Sequence, residues 1–423
     1  MFCTAIKLVF CSAILPIWTE AISYNDTKEL HNYLFKNKTY NRKIRPIEYQ
    51  DDALIVNIDL YLIGINSVDE VQERMTTTAY LSISWYDNNL KWTPSMFNDI
   101  DHILVPQSDI WKPDVALQNG FTRLKQLGDD FILMRVDDDG YVYWLPFEVF
   151  ETKCSIDIQY FPFDQQTCSI IVGVWMSTVD IIDVQAGSKG IQLDDYQSNG
   201  QWDVVNTSAV ASLSVYSESL VTFSITMKRN PHYIMVSIVF PILLLSILAV
   251  FTFLIPIESG EKMSYAMTLY LAFAVFLTIV SSSLPESGTM SLLSTYLVVL
   301  LSIGTTIIMI TALQLRLHYR DNFREIPNCV KSLVRCCIRL QCRSTGQIQA
   351  LKDTEKIKIQ SVTVSAEERL SPIPIPPSRD DKITWPDVTS AIDFLCFWVF
   401  LFVVNVSTVA LFVGGYNGSN KDE

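Results

Sequence analysis

Met263-Ser-Tyr-Ala-Met-Thr-Leu-Tyr-Leu-Ala-Phe-Ala-Val-Phe-Leu-Thr-Ile-Val-Ser-Ser-Ser-Leu-Pro285 is a run of 23 residues without a charge. A helix needs about 20 apolar residues to cross a bilayer. Three further uncharged runs flank it: Ile234–Ile255 with 22 residues, Ser287–Leu315 with 29 and Phe394–Asn420 with 27. Buried core helices would not recur four times at this length in one half of a chain. Four membrane spans are therefore the direct reading. A chain of 423 residues with 49% hydrophobic residues is also too long and too apolar for one soluble domain.

Working outward, residues 1–21 carry Lys7 and then an apolar stretch from Leu8 to Trp18. This reads as a secretory signal peptide. It places residues 22–230 outside the cell as an extracellular domain. Asn-X-Ser/Thr triplets at Asn25, Asn37 and Asn206 agree with export. Residues 22–230 hold 16 Lys+Arg against 29 Asp+Glu, whereas residues 316–388 hold 13 against 9. Basic residues favour the cytoplasmic side of short loops. The organisation is then spans one to three within 231–315, a cytoplasmic loop over 316–388, a fourth span over 389–416 and an extracellular tail over 417–423. Asn417 in that tail is a fourth sugar acceptor. Both termini lie outside.

The exported half alternates with period two. Leu54, Val56, Ile58, Leu60 and Leu62 share one face of 53–66. Residues 76–85, 131–144, 168–175 and 219–227 read as similar strands. Turns are expected at Asn88-Asn89, Asp138-Asp139-Gly140 and Ser188-Lys189-Gly190. A short helix is expected before Glu48. Many short strands over this length predict an antiparallel, immunoglobulin-like β-sandwich. In the cytoplasmic segment Arg320, Lys331, Arg335, Arg339 and Arg343 recur mostly every four residues. Leu333, Val334, Ile338 and Leu340 accompany them, as on a basic helix at the inner membrane surface. Ser371–Ser378 is a proline-rich linker, and the loop is expected to be partly disordered.

The nine cysteines sort by compartment. Cys3 and Cys11 leave with the signal peptide. Cys154 and Cys168 are the two in the exported domain, and two cysteines in an oxidising space pair. Cys329, Cys336, Cys337 and Cys342 do not have zinc-site spacing. They read as reduced thiols, with S-palmitoylation a candidate modification. Cys396 lies within the fourth span.

A wet path through lipid needs several copies of one helix around an axis. In the second span Ser264, Thr268, Leu271, Val275, Thr278 or Ile279, and Ser282 step by three or four and share a face. A helix–helix packing face would use the same small polar residues.

Cys154-Ser-Ile-Asp-Ile-Gln-Tyr-Phe-Pro-Phe-Asp-Gln-Gln-Thr-Cys168 resembles the signature loop of the Cys-loop receptors, the pentameric ligand-gated ion channels. Trp111-Lys-Pro-Asp114 resembles the segment leading into their first binding loop. Trp175 matches the tryptophan of the second, Pro241 a proline of the first span, and Gly260-Glu261-Lys262 the entry to the second. The resemblance runs from about Asn32 to the fourth span. It is greatest to invertebrate nicotinic acetylcholine receptor subunits, though without the adjacent flap cysteines. It favours the pore over the packing face.

The resemblance implies five such helices around one pore. Leu271 then forms an apolar gate, which closes by dewetting. Glu261 forms a carboxylate ring at the inner mouth that selects cations, with Glu258 adding negative charge nearby. Ser282 stands where an outer acid is usual, with Glu286 a substitute. Ligand is expected between subunits. Trp175, Gln118 and Tyr216 would lie on one face, and Tyr80, Arg135, Tyr143 and Leu145 on the facing one. Trp85 and Trp92 read as core. Gln118 replaces a usual tyrosine, and an arginine at 135 would disfavour a bare cation and suit a carboxylate. A solvated strand arginine is the other reading. Coupling to the pore falls to Asp69, Glu70, Arg229 and to Phe161-Pro162-Phe163 against the linker holding Leu284-Pro285.

The function expected is thus a cation-selective channel subunit of nicotinic type. The alternatives are an accessory, non-α-type subunit needing partners, or a channel opened by a ligand other than acetylcholine, a carboxylate-bearing one included. Partners are four further subunits, a small extracellular ligand, membrane lipids, and cations such as Na+ and K+, with Ca2+ a further candidate. No cofactor, metal or nucleic acid is called for. Four scattered histidines and the lack of a nucleophile constellation argue against an enzyme.

Overall fold

The computed structural model describes residues 22–124, 126–282, 290–320, 326–337 and 384–419. The signal peptide, Leu284-Pro285, Glu286, Ile338 to Arg343 with Cys342, and the proline-rich linker lie outside the described residues.

The exported half is two packed sheets. Eleven strands run in chain order: β1 (Leu54–Asp69), β2 (Arg74–Tyr86), β3 (His102–Pro106), β4 (Val115–Leu117), β5 (Leu133–Asp137), β6 (Tyr141–Trp144), β7 (Phe147–Lys153), β8 (Gln165–Val174), β9 (Ile182–Gln192), β10 (Trp202–Leu213) and β11 (Ser219–Arg229). The larger sheet has the order β3-β5-β6-β2-β1-β9, with β7 also pairing β2. The smaller is β10-β11-β8-β4. All pairs are antiparallel except β1 with β9. Leu54, Val56, Ile58, Leu60 and Leu62 point inward from β1, as the period-two pattern requires. Trp85 and Trp92 are buried. A capped helix, Tyr24–Asn32, precedes the sandwich, with Ser23 and Asp26 capping each other.

Two expectations change, while the turn expected at Asp138–Gly140 is found. Ser188-Lys189-Gly190 is not a turn between strands but a bulge inside β9. The Asp59 carboxylate of β1 accepts the Lys189 and Gly190 N–H groups at 3.0 and 2.7 Å, which holds the extra residues in register. The turn at Asp138–Gly140 divides segment 131–144 into β5 and β6. Arg320 does not belong to the basic inner helix, which begins at residue 328. Its guanidinium sits 5.0 Å from the Trp385 ring instead.

The helical half has four spans: His232–Leu254, Lys262–Ser282, Leu292–His318 and Trp385–Gly418. Pro241 has no N–H to give the preceding turn, and the first span is π-helical over Met235–Val239 just ahead of it. The apolar core is contiguous from the sandwich into the spans. The helix at 328–337 packs on the start of the fourth span, with Val334 and Cys337 against Trp385, Val388 and Ala391.

Candidate functional site

The second span divides by face. Lys262, Ala266, Phe273 and Val280 are buried against its neighbours. Ser264, Thr268, Leu271, Val275, Thr278, Ile279 and Ser282 are exposed, as is Glu261 just before the helix. Leu271 is 61% exposed, although it is one of the most apolar residues in the chain. The Thr268, Thr278 and Ser282 hydroxyls donate to backbone carbonyls of their own helix at 2.7–2.9 Å. Their oxygens stay free to accept from water.

At the inner end, Lys262 is 1% exposed. Its ammonium is bound by Asp393 of the fourth span, whose same oxygen accepts from the Gln314 amide of the third span at 2.9 Å. A buried ammonium requires such a partner. This pair ties the second span to two others, one residue after Glu261.

Tyr80, Arg135, Tyr143 and Leu145 share the outer face of the larger sheet. Tyr80 stacks on Tyr61 at 4.7 Å, with ring planes 9° apart. Lys189 donates to the Tyr61 hydroxyl at 3.0 Å. Arg135 lies across from Tyr143 on β5 and β6 and donates to the Asp137 carboxylate at 2.7 Å. That hydrogen bond holds the guanidinium pKa above its usual value. A ligand carboxylate would compete with Asp137 for it.

Gln118, Trp175 and Tyr216 sit at strand ends and in the hairpin turn of the smaller sheet. Gln118 follows β4, and its N–H donates to the Ile171 carbonyl. Trp175 directly follows β8 and is 47% exposed. Its N–H donates to the Asp114 carbonyl at 3.0 Å. A cavity of about 400 Å³ lies beside it, lined by Lys112, Asp114, Leu124, Leu127 and Trp144 among others. The Lys112 ammonium sits 4.9 Å from the Trp144 ring, and burial lowers its pKa. Tyr216 is exposed at the tip of the β10–β11 hairpin, between Leu213 and Ser219.

Arg229, at the end of β11, is 6% exposed. Two of its nitrogens donate to Asp164 at 2.8 and 3.2 Å, and a third reaches Glu70 at 2.6 Å. Its plane lies 4.2 Å from the Trp202 ring and 4.9 Å from that of Phe161. Burial works against the charge, and the Asp164 and Glu70 carboxylates overcome it. Asp69 faces elsewhere: it accepts the Gln72 N–H and pairs with Arg74 at 3.8 Å. The disulfide Cys154–Cys168 closes the loop that carries Asp164. Pro162 is buried in that loop, while Phe163 and Tyr160 seat on Gly415 and Gly418 of the fourth span. The Leu292 N–H donates to the Gln159 carbonyl at 2.9 Å, joining the loop to the third span. Asn25, Asn37, Asn206 and Asn417 are all exposed.

Asp164, Trp202, Tyr61, Lys189, Gln314 and the Lys262–Asp393 pair are not among the sequence candidates. One signal for the last existed. Lys262 immediately precedes one uncharged run and Asp393 another, so opposite charges bracket two spans at the same membrane side.

Comparisons with known proteins agree with this division. The family model for the neurotransmitter-gated ion-channel ligand binding domain matches residues 27–231. That for the neurotransmitter-gated ion-channel transmembrane region matches 238–370. The chain is 30% identical to acetylcholine receptor subunit delta of Xenopus laevis over 336 residues, covering 74% of this chain and 64% of that one. It is 32% identical to neuronal acetylcholine receptor subunit alpha-3 of Carassius auratus over 336 residues, covering 78% and 65%. It is 30% identical to neuronal acetylcholine receptor subunit alpha-2 of Homo sapiens over 329 residues, covering 75% and 61%. The matches thus span less than two thirds of these relatives' own lengths. With both models matching in chain order, one on the sandwich and one beginning in the first span, the chain belongs to the neurotransmitter-gated ion-channel family, the Cys-loop receptors.

Proposed function

We propose that this chain is one subunit of a pentameric, cation-selective channel, opened by a small extracellular ligand bound between subunits. The chain is a multi-pass plasma-membrane protein with its N-terminal domain outside, and it is not an enzyme. The observation that carries the reading is the divided second span. One face packs on the other spans, and the face from Ser264 to Ser282 is left open. Exposed Leu, Val and Ile beside hydroxyls suit neither lipid alone nor a protein core. They suit an axis shared with further copies, with Glu261 as a carboxylate ring at its inner mouth. Na+ and K+ are the expected charge carriers, and Ca2+ is a further candidate.

The faces with Trp175 and Tyr80 lie on different sheets, so one copy supplies half of each of two sites. Leu271 is the gate. Arg229, Glu70 and Phe161 to Phe163 transmit closure of the ligand site to the spans. Mass measurement of the detergent-solubilised assembly tests the stoichiometry: five copies, or five subunits including partners, agree, and a stable monomer or tetramer contradicts it.

A second reading is an accessory subunit without a principal binding face, or one answering a ligand other than acetylcholine. The β10–β11 hairpin without cysteines and Gln118 favour it. Acetylcholine is then a weak agonist of the chain alone, or none, and a ligand with an anionic or polar end suits Arg135 better. Strong acetylcholine currents from the chain expressed alone, unchanged by Arg135→Leu, would contradict this reading.

A further inference from the structure

The helix at residues 328–337 has three distinct faces. Val334 and Cys337 are buried, with Val330 beside them, against the first turns of the fourth span. Lys331 and Arg335 are one turn apart on a second face. On the third, Cys329, Leu333 and Cys336 follow one another at four and three residues, which is a single stripe on an α-helix. Cys329 and Cys336 are exposed, and Leu333 is 46% exposed.

The position of this stripe limits its chemistry. With the N-terminal domain outside, three spans carry the chain to the cytoplasmic side before residue 328. The helix rests on Trp385, Val388 and Ala391, where the fourth span begins, and Arg320 lies over the Trp385 ring. Tryptophan and arginine at a span end mark the boundary between lipid and water. The cytosol keeps thiols reduced. Seven residues of helix also separate Cys329 from Cys336 by about 10 Å, too far for a mutual disulfide. Among the described residues no cluster of metal-ligating side chains includes them.

We propose that Cys329 and Cys336 are S-acylated with long-chain fatty acids, and that Cys337, one residue on, is not. The donor is a fatty-acyl thioester, used by a membrane acyltransferase. The cysteine thiolate attacks the acyl carbonyl carbon. A new sulfur–carbon bond forms, the donor's own sulfur–carbon bond breaks, and the thiol proton ends on the released donor thiol. No electron is transferred. Leu333 lies between the two chains and enters the lipid with them, while Lys331 and Arg335 meet anionic headgroups. Two chains with a basic patch hold an element at a bilayer where one chain does not. The four spans already anchor the protein, so the acyl groups fix this helix rather than the whole chain. Cys337 faces the fourth span and offers no path for the transferase.

The test uses the full chain in animal-cell membranes. Free thiols are blocked with N-ethylmaleimide, thioesters are cleaved with neutral hydroxylamine, and the released thiols are tagged with maleimide-linked polyethylene glycol. Two hydroxylamine-dependent mobility steps are expected for the unaltered chain. One is expected for Cys329→Ser or Cys336→Ser, none for the double variant, and two for Cys337→Ser. Surface biotinylation checks that the variants fold. If the double variant is retained inside the cell, each single variant carries the test alone. A complete lack of hydroxylamine-dependent tagging overturns the proposal, as do two steps persisting in the double variant or tagging lost only with Cys342→Ser.

Discussion

Replacing Leu271 by serine tests the gate without any knowledge of the ligand. Leu271, Val275 and Ile279 are exposed on one face across eight residue steps, an apolar stretch about 12 Å long at 1.5 Å per residue. Serine removes about three carbon groups, each contributing roughly 0.8 kcal/mol when kept from water. Scaled by the 61% of Leu271 that the single chain leaves exposed, the change is about 1.5 kcal/mol per copy. That is roughly tenfold in the closed-to-open equilibrium for each altered subunit. Oocytes given mixed messages for the unaltered and Leu271→Ser chains should therefore show a leak current that grows steeply with the altered fraction. Voltage clamp reads the leak, and surface biotinylation normalises it to the channels present. A closed state unchanged at every ratio, with normal surface expression, would exclude Leu271 as the gate and move the constriction to Val275 or Ile279.

Three other outcomes follow from the buried charges. Glu70→Gln and Arg229→Gln should each weaken gating, and a double-mutant cycle should give a coupling of about 1.5–3 kcal/mol, as for hydrogen bonds to charged groups; additive effects on the concentration–response curve would remove Glu70 from the coupling path. Asp393→Ala leaves the Lys262 ammonium buried without its carboxylate, which costs on the order of 3–5 kcal/mol, so surface expression and the detergent melting temperature should fall, and an unchanged melting temperature contradicts this. Asp87 lies under Tyr40, which donates to it at 2.7 Å, and burial pushes its carboxyl up to about 6. Its folded pKa exceeds the unfolded one, so its contribution to stability is complete below the ordinary carboxylate range and is lost as pH rises through about 6. Asp87→Asn should remove a slope on the order of 2–3 kcal/mol between pH 4 and pH 7, read by melting the purified chain at both ends of that window.

Local periodicity made the architecture legible. The alternation of β1 and the four uncharged runs each report burial along a single element, which needs no knowledge of its neighbours. The open face of the second span was legible for the same reason, since Ser264 to Ser282 repeat on one helix. Pairings across the fold were less so. Ser188-Lys189-Gly190 has the composition of a turn, and the Asp59 carboxylate some 130 residues away makes it a bulge. Arg135 was legible as a cation, while its Asp137 partner two residues on depends on both side chains sharing a strand face. Leu333 reads as apolar packing by type, yet the docking of Val334 and Cys337 on the fourth span turns it outward. The Arg229 cluster draws on the turn after β1, the disulfide loop and two later strands, and its aromatic wall at Trp202 leaves no mark in local sequence.

Charge selectivity decides whether Glu261 rings a cation pore. Current through the chain, from the Leu271→Ser leak or any agonist, is recorded with equal NaCl on both sides and then with external NaCl lowered tenfold. A pore ringed by Glu261 should move its reversal potential negative, toward a limit of about 59 mV for a tenfold gradient of a singly charged ion. Glu261→Ala should shrink that shift. A positive shift of similar size, following chloride, would contradict the account.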